Sequence, residues 1–235
     1  MMRPLSVLSA AILALATAAS GQQAEQSPVV VELFTSQGCS SCPPADALLH
    51  ELAARDDVIA LALHVDYWDY IGWKDPFARP GNTKRQRAYA AEGGRRSVYT
   101  PEMIIDGESD IVGTKPAKVM AAIEKHRMDS AMVSLDLQRS GDMLTVTATP
   151  LGDMSVPCII QLVRYTPERT TRIERGENAG KTFSYANIVE DWQVLGKWDG
   201  TAPITFTVKV EGDAPVVVLV QESDLGPIHA AARLR

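Results

Sequence analysis

Cysteine is scarce in this chain: Cys39, Cys42 and Cys158 are the only three in 235 residues. A four-ligand zinc site wants a second cysteine or histidine pair beside the first. Cys158 stands alone, far along the chain, with no close His partner. Basic charge is not in excess either. Lys and Arg number 23 against 29 Asp and Glu, for a net charge of −6, and the basic residues are dispersed. That excludes a nucleic-acid footprint and leaves the mild acidity as an aid to solubility. Beyond residue 21 there is no long apolar run, whereas a membrane span takes ~20 apolar residues. What is present is ordinary globular material, 46% hydrophobic and 22% charged, with length for two modest domains.

The chain begins with a short basic stretch, Met1-Met2-Arg3-Pro4. An uncharged, nearly all-apolar run follows from Leu5 to Ala19, and then small residues at Ala18, Ala19, Ser20 and Gly21. This is the three-part layout of a secretory signal peptide over residues 1–21, cut near Ser20 or Gly21. An uncleaved N-terminal anchor is the alternative. The mature protein is expected to be periplasmic or secreted, without a stable membrane span after cleavage. In those compartments disulfides persist.

Val29 to Phe34 is short and apolar, the pattern of a buried strand. Thr35-Ser36-Gln37-Gly38 follows, then Cys39-Ser40-Ser41-Cys42-Pro43-Pro44. Pro43 and Pro44 suit the first turn of a helix, where missing N–H groups cost little. A thiol at a helix N-terminus faces unpaired N–H groups and the positive end of the macrodipole, which favour thiolate. A second thiol one turn on can resolve a mixed disulfide. Cys39, nearer the tip, is expected to attack and Cys42, more buried, to resolve. A static structural disulfide is the competing reading of the pair.

Val58 to Val65 reads as a second buried strand, which makes a βαβ unit with parallel strands. Asp66 to Arg96 reads as a loop-rich insertion carrying Tyr67, Trp68, Tyr70, Trp73 and Phe77. Those aromatics either form a lip for apolar peptide or cap the insertion's own small core. His64, at the strand's end, is either a hydrogen-bonded strand-end residue or a proton carrier or metal ligand. Met103 to Ile105 is the next strand, Asp106-Gly107 a hairpin turn, Ile111-Val112-Gly113 the return strand, and Pro116 to Arg127 an amphipathic helix.

This order, with CxxC at a helix start and Thr100-Pro101 before a strand, resembles the thioredoxin fold. The resemblance implies that Pro101 is cis and lies against the disulfide, and that the Thr100 backbone faces a bound substrate. The segments Val31 to Asp46, His64 to Trp68 and Tyr99 to Pro101 resemble something narrower. They look like an exported bacterial family of unknown function, a thioredoxin-like domain followed by a β-rich domain. Three departures from classical thioredoxins stand out: Gly38 replaces the Trp before the first cysteine, Ser40-Ser41 replaces Gly-Pro, and the acid, Glu32, lies seven residues before Cys39 instead of six. Glu32 is a candidate acceptor for the Cys42 proton; a strand carboxylate paired elsewhere is the alternative.

The pattern changes near Asp129-Ser130. Val133, Leu135 and Leu137, then Leu144, Val146 and Ala148, then Phe206, Val208 and Val210 alternate with polar residues, as half-buried antiparallel strands do. The expected architecture is therefore a thioredoxin-like α/β domain over 22–129, with a mixed sheet flanked by helices, and a mainly antiparallel β-sandwich over 130–235. The charged, glycine-rich run Arg172 to Lys181 is expected as an exposed loop, or as a hairpin tip reaching the redox site. Cys158 is expected buried and inert.

The functional expectation is a thiol–disulfide oxidoreductase acting through Cys39 and Cys42, with Thr100, Pro101 and Glu32 in support. Its partners would be protein thiols or disulfides and a periplasmic redox partner. No cofactor and no metal are expected. The alternatives are a binding module held by a static disulfide, or a periplasmic copper-handling protein using Cys39, Cys42, His64 and Met103. Familiar copper carriers of thioredoxin type space their cysteines one residue wider.

Overall fold

Val29–Thr35 forms strand β1, buried along its whole length, as expected for a strand covered on both faces. Pro43–Ala53 forms helix α1, with prolines at its first positions. Val58–His64 forms β2, parallel to β1, with Val29 opposite Val58 and Thr35 opposite His64. The two faces of β1 serve different cores. Val29, Val31 and Leu33 pack against Leu48, Leu49 and Leu52 of α1, while Val30 and Phe34 belong to a core on the other side. The computed structural model describes residues 27–154 and 156–235, so the expected signal peptide over 1–21 lies outside the described residues. Among those described, no helix is long and apolar enough to cross a membrane.

The insertion holds more structure than its sequence suggests. Asp69–Ile71 makes one 3₁₀ turn and Pro80–Glu92 makes helix α2, so the loop-rich expectation for Asp66 to Arg96 is corrected. The periodicity test misses α2 because its inward residues are mostly polar: Asn82, Thr83, Gln86 and Tyr89 are buried there. Their partners are polar as well. Asn82 Nδ2 donates to the His64 carbonyl, and Gln86 Nε2 donates to the Tyr99 carbonyl and the Glu102 carboxylate. Pro80 at the start and Gly93 at the end were the legible signals.

Glu102–Ile105 forms β3, antiparallel to β1. Ser109–Val112 forms β4, paired with β3 across the Asp106-Gly107 turn. Pro116–Arg127 forms helix α3, whose Val119 and Ile123 join the α1 side of the sheet. Gly107 has φ +76°, and a Cβ added there would overlap the Gly226 carbonyl oxygen. Gly107→Ala is therefore expected to lower stability by at least about 2 kcal/mol, combining the left-handed backbone cost with the overlap. A denaturant midpoint equal to the parent's would overturn this.

The second half is built from β5 (Val133–Ser140), β6 (Met143–Pro150), β7 (Cys158–Arg172), β8 (Thr182–Trp198), β9 (Ile204–Lys209), β10 (Val216–Glu222) and β11 (Ile228–Leu234). The expected helix-flanked thioredoxin fold followed by a separate β-sandwich is not what forms. The protein is mostly β, 43% strand and 19% helix, and one eight-stranded mixed sheet runs through both halves in the order β11-β10-β7-β8-β2-β1-β3-β4. The physical reason lies in β8. This 17-residue strand is longer than its own half requires, and Ile188 near its middle pairs in parallel with Ala62 of β2. Asn187 reinforces the join by donating Nδ2 to the Ala60 carbonyl at 2.8 Å. The core on the second face of β1 is accordingly shared: Val30, Phe34, Ile59 and Leu61 pack with Val163, Val189, Val217, Leu219 and Ile228. Tyr89 of α2 packs into the same core, beside residues of β7, β8, β10 and β11 from the second half. The remaining sheet, β5-β6-β9, closes a further core over Cys158, Ile160, Leu162, Val216 and Val218.

Candidate functional site

Cys39 and Cys42 are joined in a disulfide at the entrance to α1, with Cα atoms 5.4 Å apart. Cys42 is the N-cap residue of the helix. The Thr100–Pro101 peptide is cis, as the resemblance implied. Its loop lies beside the disulfide loop: Ser41 Oγ donates to the Thr100 carbonyl at 3.5 Å. Gly113 completes the fit, since a Cβ there would stand 2.9 Å from the Ala45 Cβ and 3.2 Å from the Pro101 Cβ. Four expected site residues, Cys39, Cys42, Thr100 and Pro101, are thus brought together.

Glu32 is not among them. It shares the β1 face of Val30 and Phe34, away from α1. Its carboxylate accepts from Arg85 Nε at 2.6 Å and Nη2 at 3.0 Å and from Tyr89 Oη at 2.6 Å. The paired-elsewhere alternative describes its surroundings.

The acid on the disulfide side is Asp46, one turn into α1. It is buried, and its Oδ1 accepts from Thr35 Oγ1 at 2.8 Å. Burial pushes its pKa up to about 6, against the opposing pull of His64 and the Thr35 hydrogen bond. Thr35 and His64 are register partners at the carboxyl ends of β1 and β2, where open α/β sheets place their sites. His64 is fully buried; its Nδ1 lies 2.7 Å from Asp75 Oδ2. Its Nε2 has no hydrogen-bond partner among the described residues. Phe77 and Tyr185 wall the ring edge-on at 5.3 and 4.9 Å between centroids. Burial acts to raise the Asp75 pKa. The His64 ring and the Gln37 and Phe77 N–H groups outweigh it and hold this carboxyl below its ordinary value. Asp46 and Asp75 are thus two buried carboxyls close enough to His64 to act on it electrostatically. Little in the sequence signals either acid. An acid in a first helical turn reads as a complement to the macrodipole, and Asp75 lay in the supposed loop.

Cys39 was expected at an exposed tip. It is 1% exposed, and Cys42 is fully buried. Cover comes from two directions. In the insertion, Trp68 Nε1 donates to Thr100 Oγ1 at 2.8 Å and Trp73 Nε1 to Gln37 Oε1 at 2.8 Å. These two indoles face inward, which favours the capping alternative for the aromatics; Tyr70, 80% exposed, is the exception. From the second half comes the tip of the β7–β8 hairpin: Asn178 Nδ2 donates to the carbonyls of Gln37 and Cys39, both at 3.0 Å. The exposed-loop expectation for Arg172 to Lys181 gives way to its alternative, a tip that reaches the disulfide. Cys158 is buried as expected, and burial pushes its thiol up to about 11. Among the described residues, no group of three or more His, Cys, Asp or Glu is arranged to hold a metal ion.

A mixed β-sheet protein with a disulfide at a helix entrance, beside a cis-proline loop, is the class that fold and site define. The chain belongs to the family described as protein of unknown function, DUF1223, whose model matches residues 30–221. A solved structure similar over nearly the whole chain is protein AGR_C_4864 from Agrobacterium tumefaciens. It is 32% identical, with a TM-score of 0.76 over 89% of this chain and 95% of that one. HBP35 of Porphyromonas gingivalis shares the fold at 17% identity, with a TM-score of 0.56 over 89% of this chain and 75% of that one. No match was found among curated proteins.

Proposed function

We propose that this protein is an exported thiol–disulfide exchange protein that reacts through Cys39 and Cys42. The observation that carries the reading is the placement of that bond at the N-terminus of α1 beside the Thr100–Pro101 loop, with buried Asp46 one turn further along the helix. A static crosslink has no use for a buried proton acceptor, and burying one costs stability. Exchange does have a use for it. A partner thiolate attacks one sulfur of the pair, the Cys39–Cys42 bond breaks, and the other cysteine leaves as thiolate. A second partner thiolate then attacks the partner's sulfur in the mixed disulfide, which releases the first cysteine and an oxidised partner. Two electrons pass to the pair, and the two thiol protons given up by the partner are taken up by the cysteines. Every step is reversible. In this reading Asp46, the buried acid of α1, takes the proton-exchange role with Cys42 first assigned to Glu32.

The partners are proposed to be protein thiols or disulfides, with Thr100 and Pro101 lining the approach, in the periplasm or outside the cell. A second reading, a binding module with a structural disulfide, draws on the near-zero exposure of Cys39. Equilibration of the purified protein against glutathione separates the two. A potential between roughly −120 and −270 mV places the pair among working dithiols, and one below about −300 mV overturns the exchange reading. As a companion result, Cys42→Ser is expected to trap a partner on Cys39 as a mixed disulfide, and Cys39→Ser to trap none.

A further inference from the structure

We propose that Asn178 latches a gate over the Cys39–Cys42 bond, so that the tip of the β7–β8 hairpin decides when thiols reach it. This deepens the exchange reading and rests on it only in taking that pair as the reacting bond.

Cys39 sits at a helix entrance, a place that ordinarily faces solvent, yet it is 1% exposed. The residue closing it lies 139 positions away in sequence. Asn178 is itself 1% exposed, and both carbonyls it reaches, those of Gln37 and Cys39, flank the turn into the disulfide. Its amide orientation is fixed from both sides: the nitrogen meets two carbonyl acceptors, and Oδ1 accepts from Lys181 Nζ at 3.1 Å. Residues with one conformation and three hydrogen bonds in a buried seat act as anchors.

The segment carrying this anchor is built to move as one piece. Ile173 and Gly180–Lys181 close its neck through the bonds Ile173 N to Lys181 O at 2.9 Å and Gly180 N to Ile173 O at 2.8 Å. Gly176 and Gly180, at φ +78° and +81°, stand on either side of Asn178. Gly176 leaves room towards the insertion, where an added Cβ would stand 3.5 Å from Ile71 and Trp73. Most of its residues, Glu174, Arg175, Glu177, Ala179, Gly180 and Lys181 among them, are exposed or half-buried. Ile173 at the neck is fully buried and holds the base of the segment; beyond it, releasing the two hydrogen bonds from Asn178 Nδ2 to Gln37 and Cys39 frees the cover, and the Lys181 bond travels with the tip.

While the tip is seated, attack on the bond has to wait for opening. The rate of reduction is then the open fraction multiplied by the intrinsic rate of exchange. The test is the reduction of the oxidised full chain by dithiothreitol under pseudo-first-order conditions, with increasing urea below the unfolding transition. Asn178→Ala should reduce roughly ten-fold faster than the parent, the size of the lost hydrogen bonding. Lys181→Met should show a smaller gain, because only the outer bond is lost. Both should keep a rate that varies little with urea, since opening the tip exposes little surface. The glutathione potential should move far less than the rate, because the latch bonds backbone carbonyls present in both redox states. An unchanged rate in Asn178→Ala overturns the gate. So does a faster rate that climbs with urea as steeply as global unfolding, which would make Asn178 a stability residue only. The two proposals fail separately: a potential below about −300 mV ends the exchange reading, while the rate ratio alone decides the gate.

Discussion

Arg85→Met is expected to destabilise the protein by about 3–5 kcal/mol, the cost of leaving a buried carboxylate without its cation. The Arg85 and Glu32 side chains are 10% and 1% exposed and share two hydrogen bonds. Arg85 also donates to Tyr89 Oη and Gln221 Oε1, and its guanidinium carbon sits over the Trp192 ring, 4.0 Å from the centroid. Methionine keeps the stem and loses all of the donors. Such a loss is a large fraction of the ~5–15 kcal/mol that holds a typical domain together. Combining it with Glu32→Leu should restore part of the stability, because the orphaned charge is then gone. Urea denaturation of the two single variants and the double gives the coupling directly. A single variant within about 1 kcal/mol of the parent would show that water or another cation reaches Glu32.

The second large effect is a gain. Asp46→Asn should raise stability at pH 7 by on the order of 3 kcal/mol, reflecting a folded pKa of about 6 against 3.8 for the free group. The sign follows from proton counting. Between pH 4 and 6 the folded chain keeps a proton that the unfolded chain has lost, so parental stability falls as pH rises through that window. Above about pH 6 the penalty is constant; below pH 4 it vanishes. Asparagine keeps an acceptor for Thr35 Oγ1 and carries no charge, so the variant's stability should lack this slope. Measured from pH 3.5 to 7.5, the two denaturation curves should converge at the acid end. Parallel curves with no convergence would place the slope elsewhere. Under the exchange reading, the same substitution slows resolution by Cys42, so stability and turnover should move in opposite directions.

How much of this could be read from the chain alone depends on how local each feature is. β1, α1 and β2 carry their own signals in continuous apolar runs, two prolines and a CxxC, and all three form where expected. The hairpin at Asp106-Gly107 and the cis bond before Pro101 are equally local. The architecture was misjudged because its deciding contact is a single register pair, Ala62 with Ile188, between segments over a hundred residues apart. No periodicity reports such a pairing. α2 escaped because its buried face is polar, and Asn178 because one asparagine in a charged, glycine-rich run looks like any loop residue. Arg95, within the supposed loop-rich insertion, pairs with buried Glu102 at 2.5 Å and with Asp110 at 2.9 Å. At the candidate site, the disulfide cysteines were legible and the buried acid of α1 was not. Patterns of hydrophobicity locate cores, whereas the partners of buried charges are chosen by the fold.

The pairing of β2 with β8 also means that neither half owns a complete boundary. Arg233 Nη1 donates to the Val58 carbonyl and Asn187 to that of Ala60, so the outer rim of β2 is sealed by the far end of the chain. During synthesis, the segment bearing Cys39 and Cys42 emerges well before the strand that seals it. Until β8 arrives, the nascent chain presents unpaired backbone groups along a very apolar strand, an invitation to stick to its neighbours. The thiols therefore spend that interval uncovered, before the hairpin tip exists to shelter them.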